Sequence, residues 1–261
     1  MSRTLRRLGG AVLMLAALAV PAAAASADNY VALGDSYASG VGTNSYTLSS
    51  SCLRSTYAYP YLLSQQRPNT SLNFVACSGA TTTDVMNNQI SAVTGTTNIV
   101  TISIGGNDLG FASIIANCTI LDCNSQLNST KASADASLTP KLDTVYSAIA
   151  SRMAAGAKVV VLGYPRLFST SSCLGTTGVS ASERSNANLL ADEIDRITAR
   201  EVAKYSGFTF KSAIASWTGH AVCSSSAWLN GLNIFNTTES YHPTRSGHSS
   251  GYLPLVRQVV G

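Results

Sequence analysis

Charged residues are scarce in this sequence. Asp, Glu, Lys and Arg make up 11% of its 261 residues, whereas about a quarter is usual for soluble domains. Three of the 17 basic residues, Arg3, Arg6 and Arg7, lie at the very start, and those that remain nearly balance the 13 acidic residues. This balance gives no electrostatic basis for binding nucleic acid or an acidic partner. No nucleic-acid partner is therefore expected.

The sequence also lacks an apolar run long enough to span a membrane. Its one candidate, residues 11–20, is too short for a transmembrane helix. Arginines precede this run, and Ala25-Ser26-Ala27 follows it as an A-x-A cleavage site. The pattern predicts a signal peptide over residues 1–27, a single domain over residues 28–261, and a secreted, extracellular protein.

No Cys-x-x-Cys pair occurs, and no histidine lies beside a cysteine pair at the spacing of zinc ligands. We therefore predict no metal and no cofactor. An even number of cysteines in an exported protein indicates disulfides, and six cysteines permit 15 pairings. The six are Cys52, Cys77, Cys118, Cys123, Cys173 and Cys223.

Short apolar strands alternate with helices along the chain. The pattern predicts strands at residues 29–33, 72–76, 98–104, 158–162 and 208–214. Between them it predicts helices at residues 57–66, 84–90 and 109–117, a helix carrying Leu138 to Met153, a helix opened by a capping box of Ser180 and Glu183, and a last helix starting at Pro243. This alternation is typical of an α/β domain with a parallel sheet covered on both faces.

Polar residues follow the first three predicted strands. Ser36 follows the first strand in Gly34-Asp35-Ser36, Gly79 follows the second, and Asn107 follows the third. The carboxyl ends of parallel strands share one edge of a sheet, where open α/β sheets bind ligands. Ser36 is therefore a candidate nucleophile for ester hydrolysis. Its backbone N–H, the N–H of Gly79 and the side-chain amide of Asn107 are candidate donors to the oxyanion.

A serine nucleophile needs a base, and the chain offers three histidines. His242 precedes Pro243 near the end of the chain, His220 lies in a glycine-containing loop, and His248 lies in the Ser/Gly-rich start of the last predicted helix. The elbow motif G-x-S-x-G of other serine hydrolases is absent, because Ala38 occupies its second glycine position.

The motifs together resemble those of the GDSL/SGNH hydrolase family. Gly34-Asp35-Ser36, Ser78-Gly79, Gly105-Gly106-Asn107-Asp108 and Tyr241-His242-Pro243 occur in the family's order and at roughly its spacing. The resemblance is greatest to secreted bacterial lipases, esterases and phospholipases A1. It implies a three-layer α/β/α sandwich around a five-stranded parallel sheet.

The resemblance also implies roles for individual residues. Ser36 would be the nucleophile of a carboxylic-ester hydrolase and His242 its base, with Gly79 and Asn107 completing the oxyanion hole. The cysteines would pair in sequence, as Cys52–Cys77, Cys118–Cys123 and Cys173–Cys223.

One position departs from the family pattern. Many members carry an aspartate three residues before the histidine, where this chain has Glu239. Glutamate can orient an imidazole as the acid of a triad does, but its extra methylene moves the carboxylate. The backbone carbonyl of Ser240 is the favoured alternative, because close secreted relatives use a carbonyl in a Ser-His dyad.

Two other functions remain open from the sequence. One is a carbohydrate (acetyl) esterase on the same scaffold, and the other is a non-catalytic lipid- or glycan-binding protein. The expected partner is a lipid or other ester, with transient contact to a lipid surface, and the protein is expected to be a monomer. Loop residues that would line an acyl groove, or else belong to the core, are Phe111, Leu167, Phe168, Trp228, Leu229 and Phe235.

Overall fold

A parallel sheet of five strands runs through the centre of the molecule. The computed structural model describes residues 27–261. The strands are β1 (Asp28–Ala32), β2 (Thr70–Phe74), β3 (Ile99–Ile102), β4 (Lys158–Leu162) and β5 (Phe208–Lys211), in the order β2-β1-β3-β4-β5. In register, Ala32 lies between Phe74 and Thr101. All four residues of β3 are buried, as expected of a central parallel strand covered on both faces.

Helices cover both faces of this sheet. They are α1 (Ser36–Ser39), α2 (Tyr59–Gln66), α3 (Thr82–Asp84), α4 (Phe111–Cys118), α5 (Asn124–Arg152), α6 (Ala181–Val202), α7 (Ala213–Ser216) and α8 (Leu253–Val260). Helix α2 packs against α8 on one face, and α5 packs against α6 on the other. The predicted three-layer α/β/α sandwich with a five-stranded parallel sheet is confirmed. Within residues 27–261, no helix is long and apolar enough to cross a membrane.

Some element boundaries agree with the sequence prediction and others differ from it. Helix α6 begins after Ser180, whose hydroxyl and Glu183 form the predicted capping box. Helix α5, in contrast, already starts at Asn124. Strand β5 ends at Lys211. Pro243 does not start the last helix, because it forms a bridge with Leu229, and helical structure begins two residues later.

Three disulfides pair the cysteines in sequence order, namely Cys52–Cys77, Cys118–Cys123 and Cys173–Cys223. The first braces the loop after β2. Beside it, the Ser78 N–H donates to Cys52 O (3.0 Å), and the Cys77 N–H donates to Gly34 O (3.0 Å). The loops after β1 and β2 are therefore fixed to each other. The predicted signal peptide lies outside the described residues except for its last residue, Ala27.

Candidate active site

Ser36 is the first residue of α1, directly beyond β1. Asp35 caps this short helix by accepting a hydrogen bond from the Tyr37 N–H (3.0 Å). Gly40 ends the helix in the left-handed conformation. One helical turn thus holds the Ser36 side chain at the carboxyl edge of the sheet.

A glycine is required at the turn into this helix. Gly34 has φ +126°, and a Cβ there would lie 2.5 Å from Ser103 O, too close for any side chain. The buried Gln89 side chain pairs with both polar groups of Gly34: it accepts from the Gly34 N–H (2.8 Å) and donates to Gly34 O (2.9 Å). The turn before Ser36 is thereby held from two sides.

His242 contacts Ser36 directly. Its Nε2 lies 2.8 Å from Ser36 Oγ, and its Nδ1 lies 2.9 Å from the carbonyl oxygen of Ser240. A carbonyl only accepts hydrogen bonds, so Nδ1 carries the proton and the Nε2 lone pair faces the Ser36 hydroxyl. This is the tautomer that a general base needs.

The loop carrying His242 is fixed by its neighbours. Tyr241 adopts φ +61°, which is unusual for a tyrosine. The Tyr37 hydroxyl donates to Tyr241 O (2.6 Å). The Tyr241 N–H donates to Asn230 O (3.0 Å), and the Asn230 N–H donates to His242 O (2.9 Å). Sequence reasoning did not identify Tyr37 or Asn230, because no motif marks either residue.

Glu239 is buried but makes no hydrogen bond to the His242 ring. Its carboxylate accepts a hydrogen bond from the Tyr46 hydroxyl and another from the Asn44 N–H (3.4 Å). The acceptor for the His242 Nδ1–H is the Ser240 carbonyl. Glu239 therefore links the histidine loop to the loop that contains Asn44 and Tyr46.

The surroundings of His242 favour its neutral form. Desolvation by burial lowers the pKa of His242 to about 4, although its hydrogen bond to the Ser240 carbonyl acts in the opposite direction. The imidazole is consequently unprotonated at neutral pH.

The candidate oxyanion donors follow three neighbouring strands. Within the described chain, the N–H groups of Ser36 and Gly79 donate no hydrogen bond. Asn107 Nδ2 donates one hydrogen bond to Ala80 O (3.0 Å). This bond orients the amide and leaves its second hydrogen to donate to an oxyanion. A Cβ at Gly79 would meet no atom within 4 Å. Its φ of +80°, rather than crowding, favours glycine there.

A buried polar chain connects the nucleophile turn to the Asn107 turn. The Tyr164 hydroxyl donates to Asp35, and the Gly106 N–H donates to the Tyr164 oxygen (3.1 Å). Burial raises the pKa of Asp35 to about 7. Sequence reasoning missed Tyr164, although its position directly after β4, in Gly163-Tyr164-Pro165, was a signal of the same kind as Ser36.

The other two histidines lie outside this arrangement. His220 stacks on Trp228 at 3.6 Å between ring centroids. His248 is buried, and its Nδ1 accepts a hydrogen bond from the Tyr59 N–H (3.3 Å). Neither contacts Ser36.

A mostly apolar cavity of about 420 Å³ opens beside Ser36 and His242. One wall is α4, which contributes Phe111, Ala112 and Ile115, and Leu167 contributes from beyond β4. Of the six loop residues considered from the sequence, Phe111 and Leu167 line the cavity. Phe168 and Leu229 are buried in the core, Trp228 packs against it, and Phe235 is exposed.

The chain is similar to known lipases over nearly its whole length. The model of the GDSL-like Lipase/Acylhydrolase family matches residues 32–249. Lipase 1 of Streptomyces coelicolor is 46% identical over 253 residues, which cover 95% of this chain and 92% of that protein.

Two solved structures have the same fold and related sequences. An extracellular lipase from Streptomyces rimosus aligns with a TM-score of 0.84 at 43% identity, covering 89% of this chain and all (100%) of that one. A phospholipase A1 from Streptomyces albidoflavus NA297 aligns with a TM-score of 0.84 at 39% identity, covering 90% and 100%.

Proposed function

The chain belongs to the GDSL-like lipase/acylhydrolase family and is an ester hydrolase, and on that basis we propose that it cleaves long-chain acyl esters of lipids through Ser36 and His242. The observation that carries the proposal is the 2.8 Å contact between Ser36 Oγ and His242 Nε2 beside the apolar cavity. The Ser240 carbonyl holds the opposite ring nitrogen. These contacts support a Ser-His dyad.

In the proposed first step, Ser36 Oγ attacks the ester carbonyl and its proton passes to His242 Nε2. The carbonyl oxygen becomes an oxyanion, which accepts hydrogen bonds from the Ser36 and Gly79 N–H groups and the Asn107 amide. The C–O bond to the alcohol then breaks, and the alcohol leaves with the proton from His242. Each donor to such an oxyanion contributes a factor of about 10²–10³ to kcat.

In the second step, water attacks the acyl group on Ser36 and gives its proton to His242. The acyl–Ser36 bond breaks, the proton returns to Ser36 Oγ, and the fatty acid leaves. The Ser240 carbonyl stabilises the imidazolium of both steps through Nδ1–H. In this proposal Glu239 supports the loop and does not act as the acid of a triad.

The cavity supports an acyl chain rather than a sugar as the group bound beside Ser36. Although Thr119, Thr237 and Thr238 also line it, most of its exposed lining is apolar, including the α4 wall and Leu167, which suits an acyl chain better than the many hydroxyl groups of a carbohydrate. We therefore place lipid ester hydrolysis ahead of carbohydrate deacetylation. Comparing a triglyceride with a phospholipid decides whether the alcohol part of the substrate is glycerol or phosphoglycerol.

We also propose that residues 1–27 are a signal peptide, and that residues 28–261 act outside the cell as a monomeric domain. Three disulfides fit an oxidising compartment. One relative is described as an extracellular lipase. N-terminal sequencing of the exported protein, with Asp28 as the expected first residue, tests the cleavage site.

The test of the catalytic proposal is a hydrolysis panel with a Ser36→Ala variant. Substrates are p-nitrophenyl esters of increasing chain length, a triglyceride, and a phospholipid with distinguishable sn-1 and sn-2 chains. Ser36→Ala should lower kcat/KM by about 10³ or more on every substrate. The exposed Ser171→Ala is the matched control and should keep full activity.

Two results would overturn the proposal. Residual turnover by Ser36→Ala above about 3% of the turnover of the parent protein would mean that another nucleophile acts. Hydrolysis of acetyl esters alone, with no turnover of any long chain, would remove the lipid substrate and favour the carbohydrate esterase.

A further inference from the structure

Five large apolar side chains are strongly exposed on three loops. Ile120 is 82% exposed, Leu121 69%, Leu174 90%, Ile234 71% and Phe235 95%. Elsewhere in residues 27–261, no large apolar side chain is more than 44% exposed. We name these five residues the apolar rim.

The apolar rim adjoins the cavity beside Ser36 through Ile120 and through the segment that contains Leu232. Ile120 itself lines the cavity, as does Leu232. The segment of Leu232 also carries Ile234 and Phe235. The Leu232 N–H donates to Gly175 O (2.9 Å), which joins that segment to Leu174. The space next to Gly178 is closed by Thr119 O, 2.2 Å from where a Cβ would stand. The three loops therefore form one continuous border.

Two disulfides constrain the segments that carry three of the rim residues, Ile120, Leu121 and Leu174. Cys118–Cys123 closes a loop with a separation of 5 residues, and Ile120 and Leu121 form its tip. Cys173–Cys223 fixes the residue directly before Leu174. A loop closed over so few residues restricts the positions that its tip can adopt. Exposed apolar surface of this extent normally marks an interaction site, and the cross-links keep it available.

The apolar rim carries no charge. Residues 119–121, 174–178 and 231–238 contain no Asp, Glu, Lys or Arg. Asp122, the exposed neighbour of Leu121, is acidic. Binding to anionic lipids depends on clusters of Lys and Arg, so this surface has no means of selecting an anionic layer.

We propose that the apolar rim inserts into the surface of a neutral phospholipid layer and places the cavity mouth against the lipid chains. The inference depends on the proposed function in taking an acyl ester as substrate. Five side chains on three separate loop tips suit a fluid layer, which closes around each one. A rigid protein partner would need a separate pocket for each side chain.

Docking of this kind lets an acyl chain move from the layer into the cavity without crossing water. The transfer of apolar side chains from water into lipid supplies the binding energy, and it requires no change in the fold. The rim residues thereby determine whether aggregated substrate is used, while Ser36 and His242 act on any ester that reaches them.

Vesicle flotation with phosphatidylcholine tests the binding, using the Ser36→Ala background so that the vesicles stay intact. We expect Phe235→Ser, and separately Leu174→Ser, to weaken binding about tenfold, as expected for removing one large apolar side chain from a lipid contact. Leu189→Ser on α6 is the matched control, because Leu189 is exposed (44%) but does not line the cavity beside Ser36, and it should bind as the parent does.

A second measurement separates docking from catalysis. In the active protein, Phe235→Ser should lower the rate on phosphatidylcholine vesicles about tenfold and leave kcat/KM on dissolved p-nitrophenyl butyrate unchanged. Equal vesicle binding by Phe235→Ser, Leu174→Ser and Leu189→Ser would overturn the inference. Full activity of Ser36→Ala on the dissolved ester would instead overturn the proposed function, with the binding result still interpretable.

Two further outcomes would also refute a neutral lipid layer as the partner. One is binding that requires phosphatidylglycerol and is lost as salt is raised, which would indicate anionic headgroups. The other is a dimer in analytical ultracentrifugation that Phe235→Ser dissociates, which would assign the rim to contact between two copies of the chain.

Discussion

At the scale of single residues, His242 has an uncharged partner. The Ser240 carbonyl fixes the tautomer through Nδ1–H (2.9 Å) without adding a negative charge. A carboxylate in that position would favour the imidazolium and raise its pKa. Here burial dominates, and the pKa of His242 falls to about 4.

The acid limb of the pH profile should reflect this low pKa. A general base acts only when neutral, so kcat/KM should fall with a midpoint near pH 4 rather than near the ordinary histidine value of 6.5. The measurement is kcat/KM on a dissolved ester as the pH is lowered, with circular dichroism at each pH to verify folding. A midpoint near 6.5 in folded protein would contradict the prediction.

Glu239→Gln tests whether the acid of a triad is present. Glutamine keeps the size of the buried side chain and still accepts from the Tyr46 hydroxyl, so we expect kcat/KM within about threefold of the parent, whereas His242→Ala should lose about 10³ or more. Both are measured on the same dissolved ester. A loss of about 10³ in folded Glu239→Gln would mean that the carboxylate does orient the histidine.

Three of the candidate site residues could be identified from the sequence because they follow strands. Ser36, Gly79 and Asn107 lie beyond β1, β2 and β3, and the parallel sheet brings those ends together. The contacts of Glu239 could not be read in this way. Its bond to Tyr46 spans 193 residues between two irregular loops, and no periodicity or motif encodes which loops meet.

At the scale of elements, α4 forms one wall of the cavity beside Ser36. Ala112 lines the cavity, and its small side chain occupies little of the space. We expect Ala112→Trp to fill part of this space and to shift the chain-length preference of p-nitrophenyl esters, with kcat/KM about tenfold lower for long chains and little changed for short ones.

The control for this substitution is Ala132→Trp, an exposed position on α5 that is absent from the cavity lining. It should leave the chain-length profile as it is. A uniform loss on all chain lengths in Ala112→Trp would indicate a disturbed fold or oxyanion hole rather than a shortened cavity.

The elements themselves were predictable to different degrees. Strand β4 has the predicted bounds, because its continuous run of valines favours a buried strand over any other structure. Helix α5 begins at Asn124, well before the apolar spacing that predicts it. The prediction missed this start because the first half of the helix is rich in Ser, Thr and Asn. Only Leu127 and Ala134 are buried there, so tertiary packing rather than a periodic pattern determines where the helix starts.

At the scale of the whole molecule, two buried groups make stability depend on pH in opposite directions. The pKa of Asp35 is raised from 3.8 to about 7, chiefly by burial. The folded state therefore binds more protons, and stability is lost as the pH rises through this interval. Burial lowers the pKa of His248 from 6.5 to about 3, so stability is lost as the pH falls through that interval.

Variants of the two groups should change the pH slope of stability with opposite signs. Asp35→Asn should make the free energy of unfolding rise more steeply from pH ~4 to ~7, and His248→Gln should make it rise less steeply from pH ~3 to ~6.5. Urea titrations at several pH values give the slopes, which do not depend on any constant loss of stability. Equal slopes in both variants and the parent would show that neither group titrates differently on folding.

The distance along the chain between Ser36 and His242 has a practical consequence. The two residues are separated by 206 positions, and every strand of the sheet except β1 lies between them. With Ser36 and His242 in the proposed roles, ester hydrolysis begins only in molecules in which both ends of the chain have folded together. Colour released from a chromogenic ester counts completed molecules, which makes the protein a reporter of its own refolding and of the rejoining of separately produced halves.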